Sequence, residues 1–395
     1  LWLRHLGGPG GEAPAAPDAG TPPAGEWRAA WISYIELQGM DYTSAEAFRA
    51  GAAAMMDRCA GLGLNTVIVQ VRPFGDALYP SALFPWSHIC TGVQGVSPGF
   101  DPLDILLTEA HSRGLSFEGW INPYRLQASA SSPGTLAADN LANTHPDWVA
   151  AAGGGLYLNP AIPEAAAYVV EGVAELVRTY PVDGVHFDDY FYPTTDPAID
   201  AARFAASGAA DLAEWRRQNV TALVKAAHDA VKAADPTLRF GVSPQGNPDN
   251  DMSQQYSDVR GWLAAGSEDA VVDYLCPQLY WGYGYTLSNG SRRFAYENIL
   301  AEWLAMPRGS AALYVGLGAY RIGEGDGGAN GDSVSGWSTG RALADQVGTL
   351  RAAGAGGYAL YRYGSLFQNT AWPQLAEAEC AALTAANAPD GGRAG

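Results

Sequence analysis

Between about residues 26 and 385 a short apolar strand signal is followed, eight times over, by a helix signal. No other feature of the chain constrains it so strongly. Strands joined through helices pair in parallel, and a parallel sheet must be covered by those helices. GEWRAAWISY, NTVIVQVRP, LSFEGWINP, VDGVHFDDY, RFGVSPQ, VDYLCPQLYW, ALYVGLGAYR and GGYALYRYG carry the strands. The intervening segments have helix punctuation. SAEAFRAGAAAMMDRCAGLG stops at glycine, and DPLDILLTEAHSRG opens with Asp101 as N-cap and Pro102 in the first turn. Such alternation builds either an open, doubly wound sheet or a closed barrel. Eight units, with no GxGxxG or GxxxxGK[ST] at a first βα turn, favour the barrel. The expected fold is α/β: a (β/α)8 TIM barrel forming a single catalytic domain. Two connections are long, the β3-α3 loop (residues 124–162) and the β4-α4 loop (residues 190–210). In this fold both lie on the C-terminal face, where chemistry sits.

Composition narrows the ligand. The formal net charge of −18 repels phosphate backbones, which excludes nucleic acid as a natural partner. With 48% hydrophobic residues the chain can fill a large core. Twelve Trp and twenty Tyr serve that core, and at strand ends they offer flat faces to the C–H side of a sugar. No apolar run is long enough to span a bilayer. Residues 1–25, rich in Gly, Ala and Pro, read as a flexible tether before a barrel at 26–385 and a disordered tail at 386–395. Such a tether suits a secreted or cell-envelope protein, with a lipid anchor upstream of Leu1 as one way of holding it there. A monomer is expected. The four cysteines form no CxxC. Cys59 falls in the first helix and Cys380 in the last, neighbours in a closed barrel, so the alternatives are a disulfide between them or four buried thiols.

Strand four ends Asp183-Gly184-Val185-His186-Phe187-Asp188-Asp189-Tyr190. Adjacent carboxylates among aromatics are costly to bury and repel each other, an arrangement that reaction chemistry repays. Asp188 and Asp189 are therefore the first catalytic candidates. The alternative is a loop cap or an ion pair with arginine. Strand alternation places Asp188 on the inward side with His186 and turns Asp189 away, unless a bulge intervenes. A glycosidase needs two opposed carboxyls, so a partner is sought on another strand. Glu118, in register with Trp120 and Asn122 on strand three, is the third candidate; a structural ion pair low in the barrel is its competing role. Tyr34, Arg72, Asn122, Tyr124, Arg125, His186, Tyr190, Gln245, Gln278, Tyr280 and Trp281 sit at or near strand ends and are candidate substrate contacts. The aspartate pair could hold a divalent ion, but no third ligand lies nearby, so neither metal nor cofactor is expected.

WRAAWIS, GLNTVIVQVRPFGDALYPS, PGFDPLDILLTEAHSRGL, WINPYR, YLNPAIPEA, YPVDGVHFDDYFYP, EWRRQN, FGVSP and CPQLYWGY, in that order, resemble the bacterial glycosyl hydrolase-like family 10. The resemblance runs from about Glu26 to Phe367. It implies an envelope or secreted glycosidase, with a glycan of N-acetylglucosamine and N-acetylmuramic acid as the leading substrate. Related sequences carry a segment such as HAW where this chain has Glu118-Gly119-Trp120, a departure at Glu118 that ranks it below the aspartates. A weaker resemblance links strand four to family 18 chitinases, whose DGxDxDxE frame would start at Asp183 and match Asp188. That frame's acid glutamate is Tyr190 here, so the acid must come from elsewhere. Tyr280 could match the chitinase tyrosine that supports a substrate acetamide.

Overall fold

The computed structural model describes residues 15–389. Its parallel strands are β1 (Trp27–Ile32), β2 (Thr66–Arg72), β3 (Ser116–Ile121), β4 (Gly184–Phe187), β5 (Arg239–Val242), β6 (Tyr274–Leu275), β7 in two segments (Ala312–Leu313 and Val315–Gly318) and β8 (Gly357–Tyr361). The first segment of β7 pairs with β6 and the second with β8, so the sheet closes on itself around Tyr314. The expected (β/α)8 barrel is the observed fold.

Among the described residues one main helix follows each strand: α1 (Ala45–Gly61), α2 (Pro102–His111), α3 (Pro163–Thr179), α4 (Leu212–Ala234), α5 (Val259–Ala264), α6 (Tyr296–Ala305), α7 (Ala342–Ala352) and α8 (Pro373–Ala386). Their starts follow local chemistry. Asp101 accepts the Asp104 N–H ahead of Pro102, Ser44 accepts the Ala47 N–H, and Asp211 accepts the Glu214 N–H. Every residue of β2 is buried, as a parallel strand covered on both faces requires. Two apolar clusters result. The larger fills the layer between strands and helices. The smaller lies inside the barrel and is mostly aromatic, with Trp27, Trp31, Trp120, Tyr274 and Tyr314.

Both long connections are built rather than structureless. After β3, segments Arg125–Gln127, Gly155–Leu158 and Val149–Ala152 form a three-stranded antiparallel sheet. After β4, the loop is tied to α4 by a buried ion pair. Arg216 donates to both carboxylate oxygens of Asp200, at 2.9 and 2.7 Å. It also reaches the Thr195 and Asp196 carbonyls and the Tyr256 hydroxyl.

The packed body extends past the boundaries at 26 and 385. Arg351 on α7 pairs with Glu26 at 2.8 Å and donates to the carbonyls of Ala19 and Ala386. Asn387 accepts from the Tyr358 hydroxyl and donates to the Leu62 carbonyl. The rest of the expected tether, residues 1–14, and of the tail, residues 390–395, lie outside the described residues. All four cysteines are free thiols, so the Cys59–Cys380 pairing is not made. Cys59 is buried in the apolar layer, and Cys380 turns its Sγ toward the Leu366 carbonyl. Burial pushes both thiols up to about 12, which leaves them unreactive. Among the described residues no helix is long and apolar enough to cross a membrane.

Candidate active site

Strand β4 ends at Phe187, one residue before the aspartate pair. Alternation therefore stops governing the chain at the point where the expectation applied it. Asp188 and Asp189 both line one cavity of about 210 Å³ at the C-terminal mouth of the barrel, with Trp31, Trp120, Tyr190, Ser243, Gln278, Tyr280, Tyr320 and Tyr361. The expectation that Asp189 points away is corrected by this early strand end.

Each carboxylate is held. The Trp120 indole N–H donates to Asp188 Oδ2 at 2.9 Å, and the Tyr190 backbone N–H to Oδ1 at 3.3 Å. Gln278 Nε2 donates to Asp189 Oδ1 at 3.0 Å and to the Ser243 carbonyl at 3.1 Å. That second bond fixes the Gln278 amide, because a flipped amide would set two oxygens together. Among the described residues neither aspartate forms an ion pair. Arg125 is the cation whose charge reaches them, but its guanidinium donates to the Pro73 carbonyl and lies 4.3 Å from the centre of the Phe74 ring.

The electrostatics follow from burial. Asp188 is 5% exposed and Asp189 8%. Loss of water raises both carboxyls. Asp188 is pushed up to about 7, by burial first and by the neighbouring Asp189 charge second, against the Trp120, Arg125 and Tyr190 contributions. Two adjacent acids buried in one cavity cannot both ionise cheaply, so they titrate as a pair. The arrangement can hold one proton near neutral pH beside a carboxylate.

Beneath the pair runs a chain of hydrogen bonds. Trp31 donates its indole N–H to His186 Nε2 at 3.1 Å, His186 Nδ1 meets the Tyr274 hydroxyl at 2.8 Å, and that hydroxyl donates to Glu118 Oε1 at 2.9 Å. The chain has one consistent direction if His186 is neutral with its proton on Nδ1. Burial pushes its pKa down to about 3, which keeps it neutral. His186 is fully buried and spent in this chain, which corrects its assignment as a substrate contact. Glu118 is corrected too. It lies a layer lower, bonded to Tyr274 and near Arg239, and does not line the cavity. Burial raises its carboxyl to about 7, so a shifted acid need not be a reacting one.

Two further candidates are buried outside the barrel. The β2–β3 register slips between Gln70 and Arg72, so Gln70 pairs with inward Trp120 but Arg72 pairs with outward Ile121. The Arg72 guanidinium consequently lies 3.7 Å from the centre of the Phe84 ring, against Gly172 of α3. A Cβ at Gly172 would come within 2.5 Å of Arg72 Nη1, which explains the glycine. Tyr124 is buried in the outer apolar layer, edge-on to Phe191. Trp281 stacks on Phe294 at 5.1 Å, behind the cavity wall.

Of the remaining candidates, some line the cavity and others lie against Arg125. Tyr190, Gln278 and Tyr280 line it, and Gln245 eases the charge on Asp189. Tyr34 and Asn122 do not line the cavity but lie against Arg125, with the Arg125 guanidinium 5.7 Å from the centre of the Tyr34 ring. Asn122 Oδ1 accepts the Arg125 N–H, and Tyr34 lies edge-on to Phe74. Sequence reasoning missed Trp31, Ser243, Tyr320 and Tyr361, and noted Trp120 only for its register. Period-two alternation inside the barrel carries Trp27, Ala29 and Trp31 on β1, and Ala359 and Tyr361 on β8, so two of these were readable. Tyr320 sits on a short turn after β7 and had no such signal.

Residues 26–329 match the model of the family described as glycosyl hydrolase-like 10. The chain is 38% identical over 323 residues to glycosyl hydrolase YngK of Bacillus subtilis, covering 75% of this chain and 61% of that one. It is 36% identical over 299 residues to glycosyl hydrolase DigH of Escherichia coli, covering 68% of this chain and 65% of that one. The chain thus spans less than two thirds of the length of these relatives. Among solved structures, the glycoside hydrolase domain of PgaB (BpsB) from Bordetella bronchiseptica superposes with a TM-score of 0.57 at 14% identity, over 91% of this chain and 99% of that one. Alpha-L-fucosidase isoenzyme 2 from Paenibacillus thiaminolyticus gives 0.58 at 18%, over 91% and 49%. At these identities the likeness is one of fold.

Proposed function

The chain belongs to the glycosyl hydrolase-like 10 family, and from that premise we propose that it hydrolyses O-glycosidic bonds of an N-acetylhexosamine-containing glycan, with peptidoglycan strands as the first substrate and the cell envelope or exterior as its place of work. One observation carries the reading: two buried aspartates share an aromatic cavity, and Asp188 is held at about 7. An acid with that pKa is substantially protonated at neutral pH and still gives its proton up readily. Asp188 protonates the leaving oxygen as the C–O bond breaks. Asp189, oriented by Gln278, or the substrate's own acetamide oxygen stabilises the oxocarbenium-like centre. Water then adds to the freed anomeric carbon and gives up a proton to the Asp188 carboxylate, which restores the acid for the next turnover. Tyr280 and Tyr361, stacked at 5.6 Å, and Trp31 supply flat walls for the ring.

Incubation with strands freed of their stem peptides, with reducing ends counted, tests the proposal. New ends are expected. Retention of strands without new ends would make the protein a non-catalytic glycan binder, and cleavage confined to an α-glucan would move it to another polysaccharide.

The rate should fall as pH rises through about 7, because the proton on Asp188 is lost there. Trp120→Phe removes an N–H that favours the ionised carboxylate, so its alkaline limb should lie at higher pH than that of the wild type. A kcat/KM profile on both proteins measures the shift. Glu118→Gln should leave kcat within about three-fold of wild type, since the residue supports Tyr274 rather than the cavity. A loss near 10²-fold would restore Glu118 to the chemistry.

A further inference from the structure

A second cavity, of about 760 Å³, opens on the same face of the barrel. The loop after β6 divides the two: Tyr280 lines the aspartate cavity, and Gly282, two residues on, lines the second. The loop after β7 forms the opposite wall, and the first turns of α7 form the floor. Asp326 clamps the two loops together. Its Oδ2 accepts the Gly282 N–H at 2.8 Å and the Trp337 indole N–H at 3.2 Å, and its Oδ1 accepts the Gly328 N–H at 3.0 Å. The cavity is therefore shaped by a side chain whose own bonds are already made.

Two lining residues carry a buried amide atom that no described residue meets: Gln346 at Oε1 and Asn330 at one end of its side-chain amide. Gln346 is 1% exposed. Its Nε2 donates to the Trp281 carbonyl at 2.9 Å, which fixes the amide with Oε1 as the free end. A buried carbonyl oxygen left without a donor is unfavourable, so the site is suited to a ligand that brings donors. Among the described residues no three His, Cys, Asp or Glu side chains converge as a cation cage, so those donors are O–H or N–H groups. The volume lies in the range of small-molecule sites and well above that of the aspartate cavity.

We propose that this cavity is a second saccharide site, binding a further unit of the same glycan through hydroxyl or acetamido N–H groups donated to Gln346 Oε1, with the Asn330 amide as a second polar contact. The proposal rests on the glycan reading above. It gives the protein a hold on long strands that short substrates cannot use.

Gln346→Leu and Asn330→Ala test it on the full chain. Asn330 makes no side-chain hydrogen bond to a described residue, so its truncation should leave the fold intact even if Gln346→Leu does not. With strands freed of stem peptides, KM should rise about five-fold or more in each folded variant, while kcat/KM on an aryl glycoside of a single sugar stays at the wild-type value. Strand affinity measured separately in an Asp188→Asn background should weaken by the same factor. Unchanged strand KM and affinity, or no strand binding by any form, overturns the assignment. Should the wild type bind strands and release no reducing ends, the hydrolase reading falls, and the affinity arm alone decides for or against the cavity.

Discussion

Asp188→Asn and Asp189→Asn each lower turnover of a cleaved glycan by about 10²-fold or more, the loss expected when a positioned proton donor or its charged partner is removed. Both side chains keep their shape, so substrate affinity should change far less than kcat. Near-native turnover in both variants removes the pair from the mechanism. The Asp188→Asn change carries a second, opposite effect on stability. The folded protein holds this carboxyl at about 7 against an ordinary value of 3.8. Between those values the native chain keeps a proton that the unfolded chain has lost. Stability therefore falls as pH rises through that window and stays reduced above it. Asparagine has no such penalty. Asp188→Asn should melt about 2–4 °C above wild type at pH 8, and the difference should vanish below pH 4. A variant that is inactive yet no more stable at pH 8 would mean that burial and the Asp189 charge strain the site less than the geometry implies.

Arg216→Met is expected to cost about 3–5 kcal/mol, because it leaves Asp200 charged, buried and without its partner. The fall in melting temperature should be on the order of 5–10 °C. The loss is not confined to one bond. Arg216 also holds the Thr195 and Asp196 carbonyls, so the whole connection between Asp188 and α4 loosens. Limited proteolysis should cut first between residues 190 and 211 in the variant. The double variant Arg216→Met with Asp200→Leu should recover much of the loss, since a buried pair replaced by apolar groups is often neutral. Melting within about 1 °C of wild type for Arg216→Met would show that the pair is not the anchor described.

Particular residues mark how far the sequence could be read. The aspartate pair and Gln278, Tyr280 and Tyr190 were visible as polar or aromatic groups at strand ends, and the cavity collects all of them. Arg72 and Asp189 defeated the same rule in opposite directions. A register slip turned Arg72 out of the barrel, and an early strand end let Asp189 turn in. Neither event has a local signature. Both depend on which neighbouring strand supplies the hydrogen bonds. His186 and Glu118 had the correct inward phase, but phase does not give depth, and a barrel interior has several layers.

Order along the chain settled the architecture. A strand followed by a helix, eight times, leaves little choice once parallel pairing and coverage of both sheet faces are required, because those demands act on neighbours in sequence. The chemistry was decided elsewhere. Which acids share a buried cavity, how far burial moves their protons, and which loops wall a second pocket depend on contacts between residues far apart in the chain. Solvent exclusion and charge proximity arise only when the barrel has closed, so no stretch of sequence holds them.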